Sequence, residues 1–129
     1  MAIEKQLSIF VQNKVGSLGE LCAGLSKADI NIRAISVADD LEWGIVKIIV
    51  NDTERAKEVL HKLGFMYGEG NVLTVALRNH PGALADLAHK LAKKKINIEQ
   101  AYATATGGDS LLVLSTTDDK KATSVLNGS

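Results

Sequence analysis

This sequence contains little cysteine and little proline, and it has no excess of either charge. The chain contains one cysteine and one proline among its 129 residues. The lone Cys22 cannot form an internal disulfide, which suits a reducing compartment. Lysine plus arginine and aspartate plus glutamate number 15 each, so the chain lacks the basic excess with which duplex-binding proteins displace counterions. We therefore expect no nucleic-acid partner.

Long apolar runs are absent as well. No run approaches the ~20 residues needed to span a bilayer, and residues 1–5 contain no apolar segment typical of a signal peptide. Hydrophobic residues nevertheless make up 46% of the chain, which is enough to form a buried core. These features predict a cytoplasmic globular protein that does not contact membranes.

An internal repeat is the most informative feature of the sequence. Shifted by 66 residues (82 − 16), the chain matches itself without a gap, and Gly16 then falls on Gly82. The same shift places Ile30-Asn31-Ile32 on Ile96-Asn97-Ile98. Because the matches hold at one offset along most of the chain, we predict two copies of one module, residues 1–70 and residues 71–129.

Each copy has the same predicted order of strands and helices. Alternating apolar residues predict a first strand at Leu7 to Val11, and leucines at helical spacing predict the helix that follows. Two further strands, a helix that begins near Asp52 and a short fourth strand at 65–69 complete the first copy, before a turn at 68–71. The second copy stops after its second helix. We expect its module to lack the last strand.

The predicted class is α+β: two ferredoxin-like βαββαβ modules in tandem, with antiparallel sheets, helices on one face and a pseudo-two-fold relation. Six leucines on the helical stripes are expected to be buried: Leu18, Leu21, Leu25, Leu84, Leu87 and Leu91. The first strand of the second copy, residues 72–77, would then lack a neighbour at the sheet edge. Either residues 65–69 or the same edge of a second chain would cover it, and we favour the second chain, which gives a homodimer.

Candidate ligand-binding residues cluster in the turn that follows each first strand. A glycine lets the chain turn tightly, and the N-terminus of the next helix offers N–H groups and a partial positive charge to a carboxylate. A second asparagine lies where the first helix gives way to the second strand, and this position and the loop can meet across two packed copies. The predicted set is Asn13, Lys14, Val15, Gly16, Ser17, Leu18, Asn31 and Ile32 in the first copy, and Asn79, His80, Pro81, Gly82, Ala83, Leu84, Asn97 and Ile98 in the second.

Structural alternatives exist for these asparagines. Asn13 and Asn79 could serve only to stabilise a turn, and Asn31 and Asn97 could serve only as helix C-caps. The three histidines are scattered, and neither copy contains a nucleophile with a base and an orienting partner at recognisable spacing. We therefore expect no metal site, no cofactor and no catalytic residue.

The pattern Asn-x-Pro-Gly-x-Leu, then a helix, then Ile-Asn-Ile, resembles the ACT domain, an amino-acid sensor attached to many biosynthetic enzymes. The resemblance covers nearly the whole chain, twice, although Val15 replaces the proline in the first copy. In the serine-sensing ACT domain of phosphoglycerate dehydrogenase, asparagines at the two motif positions hold the amino acid across a domain interface. The resemblance therefore implies the same role for the four asparagines. Pro81 restricts the unbound loop, which favours binding by the second copy.

The resemblance implies a non-catalytic regulatory protein that binds a small amino acid at the interface between ACT modules. A regulated enzyme and a second copy of the chain are the expected protein partners. The alternative function is a structural or protein-interaction module with a vestigial ligand site, whose exposed sheet edge joins a partner.

Overall fold

The computed structural model describes residues 2–40, 42–105 and 108–127. Strands and helices follow the order predicted from the repeat, except that the last strand of the first copy and the first strand of the second form one continuous strand. Their bounds are β1 (Ala2–Gln12), α1 (Ser17–Lys27), β2 (Ile32–Asp40), β3 (Trp43–Val50), α2 (Thr53–Leu63), β4 (Met66–Arg78), α3 (Ala83–Lys93), β5 (Ile98–Ala105), β6 (Asp109–Thr116) and α4 (Asp119–Asn127).

The chain divides into two compact units. The first unit is Lys5–Gly70, and the second contains the chain from Asn71 onward together with the N-terminal residues as far as Glu4. The strand order is β2-β3-β1-β4 in the first unit and β1-β4-β6-β5 in the second, because β1 and β4 each contribute residues to both. The pairs β1–β3, β2–β3, β4–β6 and β5–β6 are antiparallel. The α+β class and the tandem ferredoxin-like modules are therefore confirmed.

The core of the first unit follows from the period of about two residues in its strands and of about 3.6 residues in its helices. Leu7 and Ile9 lie on one face of β1 because side chains alternate along a strand, and both are fully buried. They pack in one cluster with Leu25 of α1 and Leu60 of α2. Both helices of this unit therefore cover the same face of its sheet.

The second unit repeats this packing. Leu73 and Val75 of β4 form one cluster with Leu91 of α3 and Ala122 of α4, all of them buried. At the 66-residue offset (82 − 16), these four residues fall on Leu7, Ile9, Leu25 and Ala56, all buried in the first cluster, as expected if one module was duplicated.

Only four of the six helical leucines that were expected to be buried are buried. Leu21, Leu25, Leu87 and Leu91 are buried, as expected, but the side chains of Leu18 and Leu84 are 40% and 53% exposed. Helical spacing sets the direction in which a side chain points, but it does not guarantee that anything lies opposite. These two leucines lie in the first turns of their helices, just after the loops that leave the sheet.

The turn predicted at 68–71 does not form. β4 runs without interruption from Met66 to Arg78, so residues 65–69 cannot fold back to cover residues 72–77. The glycine pattern favoured a turn because glycine readily adopts the positive φ that several turn types require, but Gly68 and Gly70 do not adopt it. Among the described residues, the glycines with positive φ are Gly16, Gly64 and Gly82.

The N-terminal residues lie beside the strand edge that was expected to be open. α4 is the last helix or strand in the described part of the chain, and Ala2–Glu4 of β1 joins the second unit as the neighbour of β4. The Thr74 hydroxyl lies 3.5 Å from the Ala2 carbonyl oxygen and also hydrogen-bonds the Glu4 carboxylate. The chain's own N-terminus therefore provides the neighbour that we had assigned to a second chain.

Candidate functional site

Each glycine loop, residues 13–16 in the first unit and 79–82 in the second, leads into a helix. The N-cap residue of that helix is a glycine in the left-handed backbone conformation. Gly16 precedes α1 with φ +92°, and Gly82 precedes α3 with φ +91°. A side chain rarely adopts this conformation, so the backbone itself requires glycine. Open space surrounds both positions, since nothing lies within 4 Å of where a Cβ would stand. Both loops are therefore accessible.

Backbone hydrogen bonds hold the first loop. The Asn13 N–H donates to the Glu42 carbonyl at 2.8 Å, which ties the end of β1 to the residue before β3. The Ser17 N–H donates to the Lys14 carbonyl at 3.2 Å and closes the turn into α1. Main-chain hydrogen bonds thus hold the shape of the loop.

The second loop repeats these bonds. The Asn79 N–H donates to the Gly108 carbonyl at 2.8 Å, and the Ala83 N–H donates to the His80 carbonyl at 3.3 Å. The ring of His80 differs from its counterpart Lys14, because its Nδ1–H donates to the Pro81 carbonyl at 2.9 Å. The two loops share one backbone shape and carry different side chains.

The helices that follow the loops begin differently from the other two helices. α1 and α3 have glycine at the N-cap position, which offers no side-chain acceptor to the first N–H groups. By contrast, Asp52 accepts a hydrogen bond from the Arg55 N–H before α2, and Asp118 accepts one from the Lys121 N–H before α4, both at 3.1 Å. An anionic ligand could supply at α1 and α3 the acceptor that aspartate supplies at α2 and α4.

The second pair of asparagines, Asn31 and Asn97, stands immediately before the next strand in each unit. The Asn31 N–H donates to Asn51 Oδ1 at 3.0 Å, and the Asn51 N–H donates back to the Asn31 carbonyl at 3.2 Å. Asn97 makes the matching pair with Thr117, at 3.1 and 3.0 Å. These backbone bonds fix the register of the strand, and both asparagine side chains are exposed.

The alternative interpretation of these asparagines as helix C-caps is wrong. The C-cap residues are Ala28 for α1 and Lys94 for α3, and the left-handed residues that follow are Asp29 and Lys95. Each helix is thus terminated before its asparagine is reached.

Within one unit, the loop and the second asparagine lie at opposite ends of the sheet. Trp43 pairs with Gln12, next to the loop, and Val50 pairs with Ile32, next to Asn31. At a rise of about 3.3 Å per residue, these two ends of β3 are about 23 Å apart. One small molecule cannot contact both Asn13 and Asn31 of the same unit.

Most of the predicted ligand-binding residues are solvent-exposed. Ser17 is buried, Ile32, Ala83 and Ile98 are half-buried, and the other predicted residues of both copies are exposed. Val15, which replaces the motif proline, is fully exposed.

A cavity of about 550 Å³ adjoins the loop of the first unit. It lies where β1 ends, α1 begins and α2 ends. Lys14, Ser17 and Glu20 line it on the loop side, and the remaining lining residues are Phe10, Val11, Gln12, Trp43, Leu63, Gly64, Phe65 and Met66. Cavities that bind small molecules typically measure about 300–1,000 Å³.

A smaller cavity of about 270 Å³ occupies the matching region of the second unit. Ala83, Asp86, Leu87 and Lys90 of α3 form one wall, and residues of β4 form another. Both units thus have a concave surface beside the helix that follows the glycine loop.

The family model described as ACT domain pair matches residues 1–128. The chain belongs to this family. The two units are ACT modules, and the glycine loops are the loops in which the ACT motif was recognised.

Solved structures resemble this ACT pair over nearly its whole length. Protein BT0572 from Bacteroides thetaiotaomicron is 32% identical with a TM-score of 0.93, and the match covers 98% of this chain and 88% of that one. The regulatory subunit of aspartate kinase from Thermus thermophilus, in its ligand-free form, is 12% identical with a TM-score of 0.74, covering 99% and 97%. The equivalent subunit from Thermus flavus is 14% identical with a TM-score of 0.69, covering 98% and 92%. At such low identity, the aspartate kinase subunits show a shared fold. No match is found among curated proteins.

Phe10 and Trp43 are cavity residues that the sequence interpretation missed. They carried no recognised motif, although comparison of the copies could have revealed them. At the 66-residue offset (82 − 16), Phe10 falls on Ala76 and Trp43 falls on Asp109. These two aromatic residues of the first ACT module therefore break the repeat beside its loop.

Within the described residues, no group of three or more histidine, cysteine, aspartate or glutamate side chains could hold a metal ion. In the same part of the chain, no helix is long and apolar enough to cross a bilayer.

Proposed function

We propose that this ACT pair is a non-catalytic cytoplasmic regulator that binds a free amino acid at its glycine loops. Binding takes place at an interface between ACT modules and shifts an equilibrium of assembly or of partner binding. The observation that supports this best is the glycine-capped start of α1 and α3, which differs from the aspartate-capped start of α2 and α4.

The chemistry of the loops suits an amino acid. The carboxylate of the ligand accepts hydrogen bonds from the first N–H groups of the helix and interacts with its positive end. An asparagine amide provides both a donor and an acceptor for the ammonium and carboxylate groups. Because Asn13 and Asn31 are far apart within one module, a ligand that contacts both kinds of asparagine must lie between two modules.

Regulation through a partner is the second part of the proposal. Two of the structural relatives are regulatory subunits of aspartate kinases. By analogy, this chain would transmit the amino-acid signal to an enzyme that it contacts, as a homodimer. The N-terminal neighbour of β4 makes a dimer through residues 72–77 unnecessary, so any dimer would form through another surface.

One observation favours the alternative, a protein-interaction module. Within the first module, Val15 and Leu18 expose apolar side chains at the loop and in the first helical turn. Exposed apolar residues that cluster can mark a protein-binding surface. If this alternative holds, the loops contact a partner protein and bind no amino acid.

A thermal-shift panel of the standard amino acids separates the two functions. A ligand that binds only the folded state raises the melting temperature, by an amount that grows with its concentration over Kd. We expect at least one amino acid to give a saturable increase. If none does at millimolar concentrations, the amino-acid function is wrong and the interaction module is favoured.

Substitution of Asn31 and Asn97, the asparagines that precede the second strand of each module, then tests the predicted binding site. Asn31→Ala or Asn97→Ala should weaken binding by about 1–3 kcal/mol, the cost of an unsatisfied buried partner. Asn71→Ala is the matched control, because Asn71 is an exposed asparagine of β4 outside the predicted site. Calorimetry that gives one affinity for all of these proteins would leave the two asparagines with a backbone role alone.

A further inference from the structure

We propose that the first ACT module selects an amino acid with a large apolar side chain, and that the cavity beside its loop holds that side chain. The inference rests on the proposed function and names its ligand class. It departs from the small amino acid that the sequence motif implied, and also from the preference for the second copy that Pro81 suggested.

Apolar side chains dominate one part of this cavity. Phe10, Trp43, Leu63, Phe65 and Met66 line it, and four of the five are exposed in the free protein. The exposed fractions reach 49% for Trp43 and 72% for Met66. Removing apolar surface of this kind from water is favourable, and aromatic rings offer flat faces on which another ring or a branched chain can pack. A large apolar ligand side chain gains the most from such a lining.

The loop side of the same cavity carries opposite charges. Lys14 lies in the glycine loop, and Glu20 lies in the first turn of α1, which begins at Ser17. A zwitterion can place its carboxylate near Lys14 and the N-terminus of α1, and its ammonium near Glu20. A ligand held by its charged groups at the loop would direct its side chain toward the apolar part.

The size of the cavity argues against the smallest amino acids. At about 550 Å³ it is about twice the 270 Å³ of the cavity in the second module. The second module has Ala76 and Asp109 at the repeat positions of Phe10 and Trp43. A duplicated module that acquires two aromatic residues beside its ligand loop gains a place for an apolar side chain. The first module, rather than the second, is therefore the selective one.

The chain provides its own reporter for a binding experiment. Trp43 is its only tryptophan, so fluorescence excited at wavelengths that only tryptophan absorbs comes from the cavity. Phenylalanine, leucine and methionine are titrated into the full chain and compared with glycine, serine, aspartate and lysine. We expect at least one large apolar amino acid to shift the emission and to bind at least about tenfold more tightly than glycine or serine, since each buried methylene group adds about ten- to 200-fold in selectivity.

Two variants copy the second module into the first. Phe10→Ala and Trp43→Asp introduce the residues found at the same repeat positions, which the ACT fold already accommodates. By calorimetry, each should weaken binding of the large apolar amino acid at least about tenfold, while Val37→Ala leaves it unchanged. Val37 is the matched control because it is an exposed apolar residue of β2 that does not line the cavity.

The outcomes distinguish this inference from the proposed function. Binding of only small or charged amino acids overturns the inference and leaves the proposed function in place. Equal affinity for a large apolar amino acid in the wild type, Phe10→Ala and Trp43→Asp also overturns the inference, provided that thermal unfolding shows both variants to be folded. Failure of every amino acid to bind overturns the proposed function itself.

Discussion

Gly16 and Gly82 lie 66 residues apart (82 − 16) and adopt the same left-handed conformation, with φ of +92° and +91°. Neither glycine is needed to make room, because no atom lies within 4 Å of an added Cβ. Their role is therefore conformational. Each allows the chain to turn from its strand into a helix whose first N–H groups face the loop.

Substitution of these glycines should destabilise the fold through the backbone alone. We expect Gly16→Ala and Gly82→Ala each to lower the free energy of unfolding by about 1–2 kcal/mol, because alanine is strained at positive φ. The control is Gly19→Ala, which lies inside α1 in open space and should raise stability by about 0.5–1 kcal/mol. Urea unfolding measures all three, and a stabilising Gly16→Ala would contradict the conformational role.

The helical leucines should separate into two classes. Leu25→Ala and Leu91→Ala remove side chains with no exposed surface, so each should cost about 2–5 kcal/mol of unfolding free energy. Leu18→Ala and Leu84→Ala truncate exposed side chains and should change stability by less than about 0.5 kcal/mol. Urea unfolding of the four variants tests this division, and a cost above about 2 kcal/mol at Leu18 would restore the burial predicted from periodicity.

The sequence was sufficient for the modules and their cores. The repeat and the two hydrophobic periods predicted the βαββαβ order, and Leu7, Ile9 and Leu25 are buried as those periods require. Periodicity failed at Leu18 because it describes direction and carries no information about the extent of the facing sheet.

The candidate site was predicted less completely. The loops were found because glycine and asparagine have strong local conformational preferences. The cavity was not found, because it forms where β1 ends, α1 begins and α2 ends, at residues far apart in sequence such as Phe10, Trp43 and Leu63. Hydrophobic periodicity within one strand or helix cannot indicate that residues so distant in sequence line one cavity. Only the difference between the two copies at Phe10 and Trp43 pointed to the cavity.

The Tyr102 hydroxyl should titrate at unusually high pH. Burial raises its pKa from 10.0 to about 12, because the charged phenolate is poorly solvated there. A group whose pKa is raised in the folded state contributes stability that is present below its unfolded pKa and is lost as pH rises through the folded value. The wild type should therefore lose stability relative to Tyr102→Phe between about pH 10 and about pH 12. Ultraviolet difference titration of the two proteins isolates the tyrosinate signal, and a midpoint near 10 would contradict the effect of burial.

The N-terminal residues should be required for the stability of the second ACT module. Ala2–Glu4 is the neighbour of β4 in that unit, and the Thr74 hydroxyl contacts both ends of this segment. Deleting residues 1–4 exposes unpaired N–H and C=O groups along β4, and an edge of that kind pairs with other strands. We expect a lower melting temperature and self-association of the truncated chain by light scattering. Thr74→Val, which keeps the segment and removes the hydroxyl, should cost only about 1 kcal/mol of unfolding free energy.

Hydrogen exchange locates the effect of the same deletion. The amides of Val72 and Thr74 should exchange faster in the truncated chain, because this part of β4 loses its neighbour. The amides of Leu21 and Leu25 in α1 serve as the internal control, since they lie in the unit that does not contain residues 1–4. Unchanged exchange at Val72 and Thr74, together with an unchanged melting temperature, would mean that the N-terminal segment does not stabilise the second module. The open edge, and with it the dimer predicted through residues 72–77, would then have to be reconsidered.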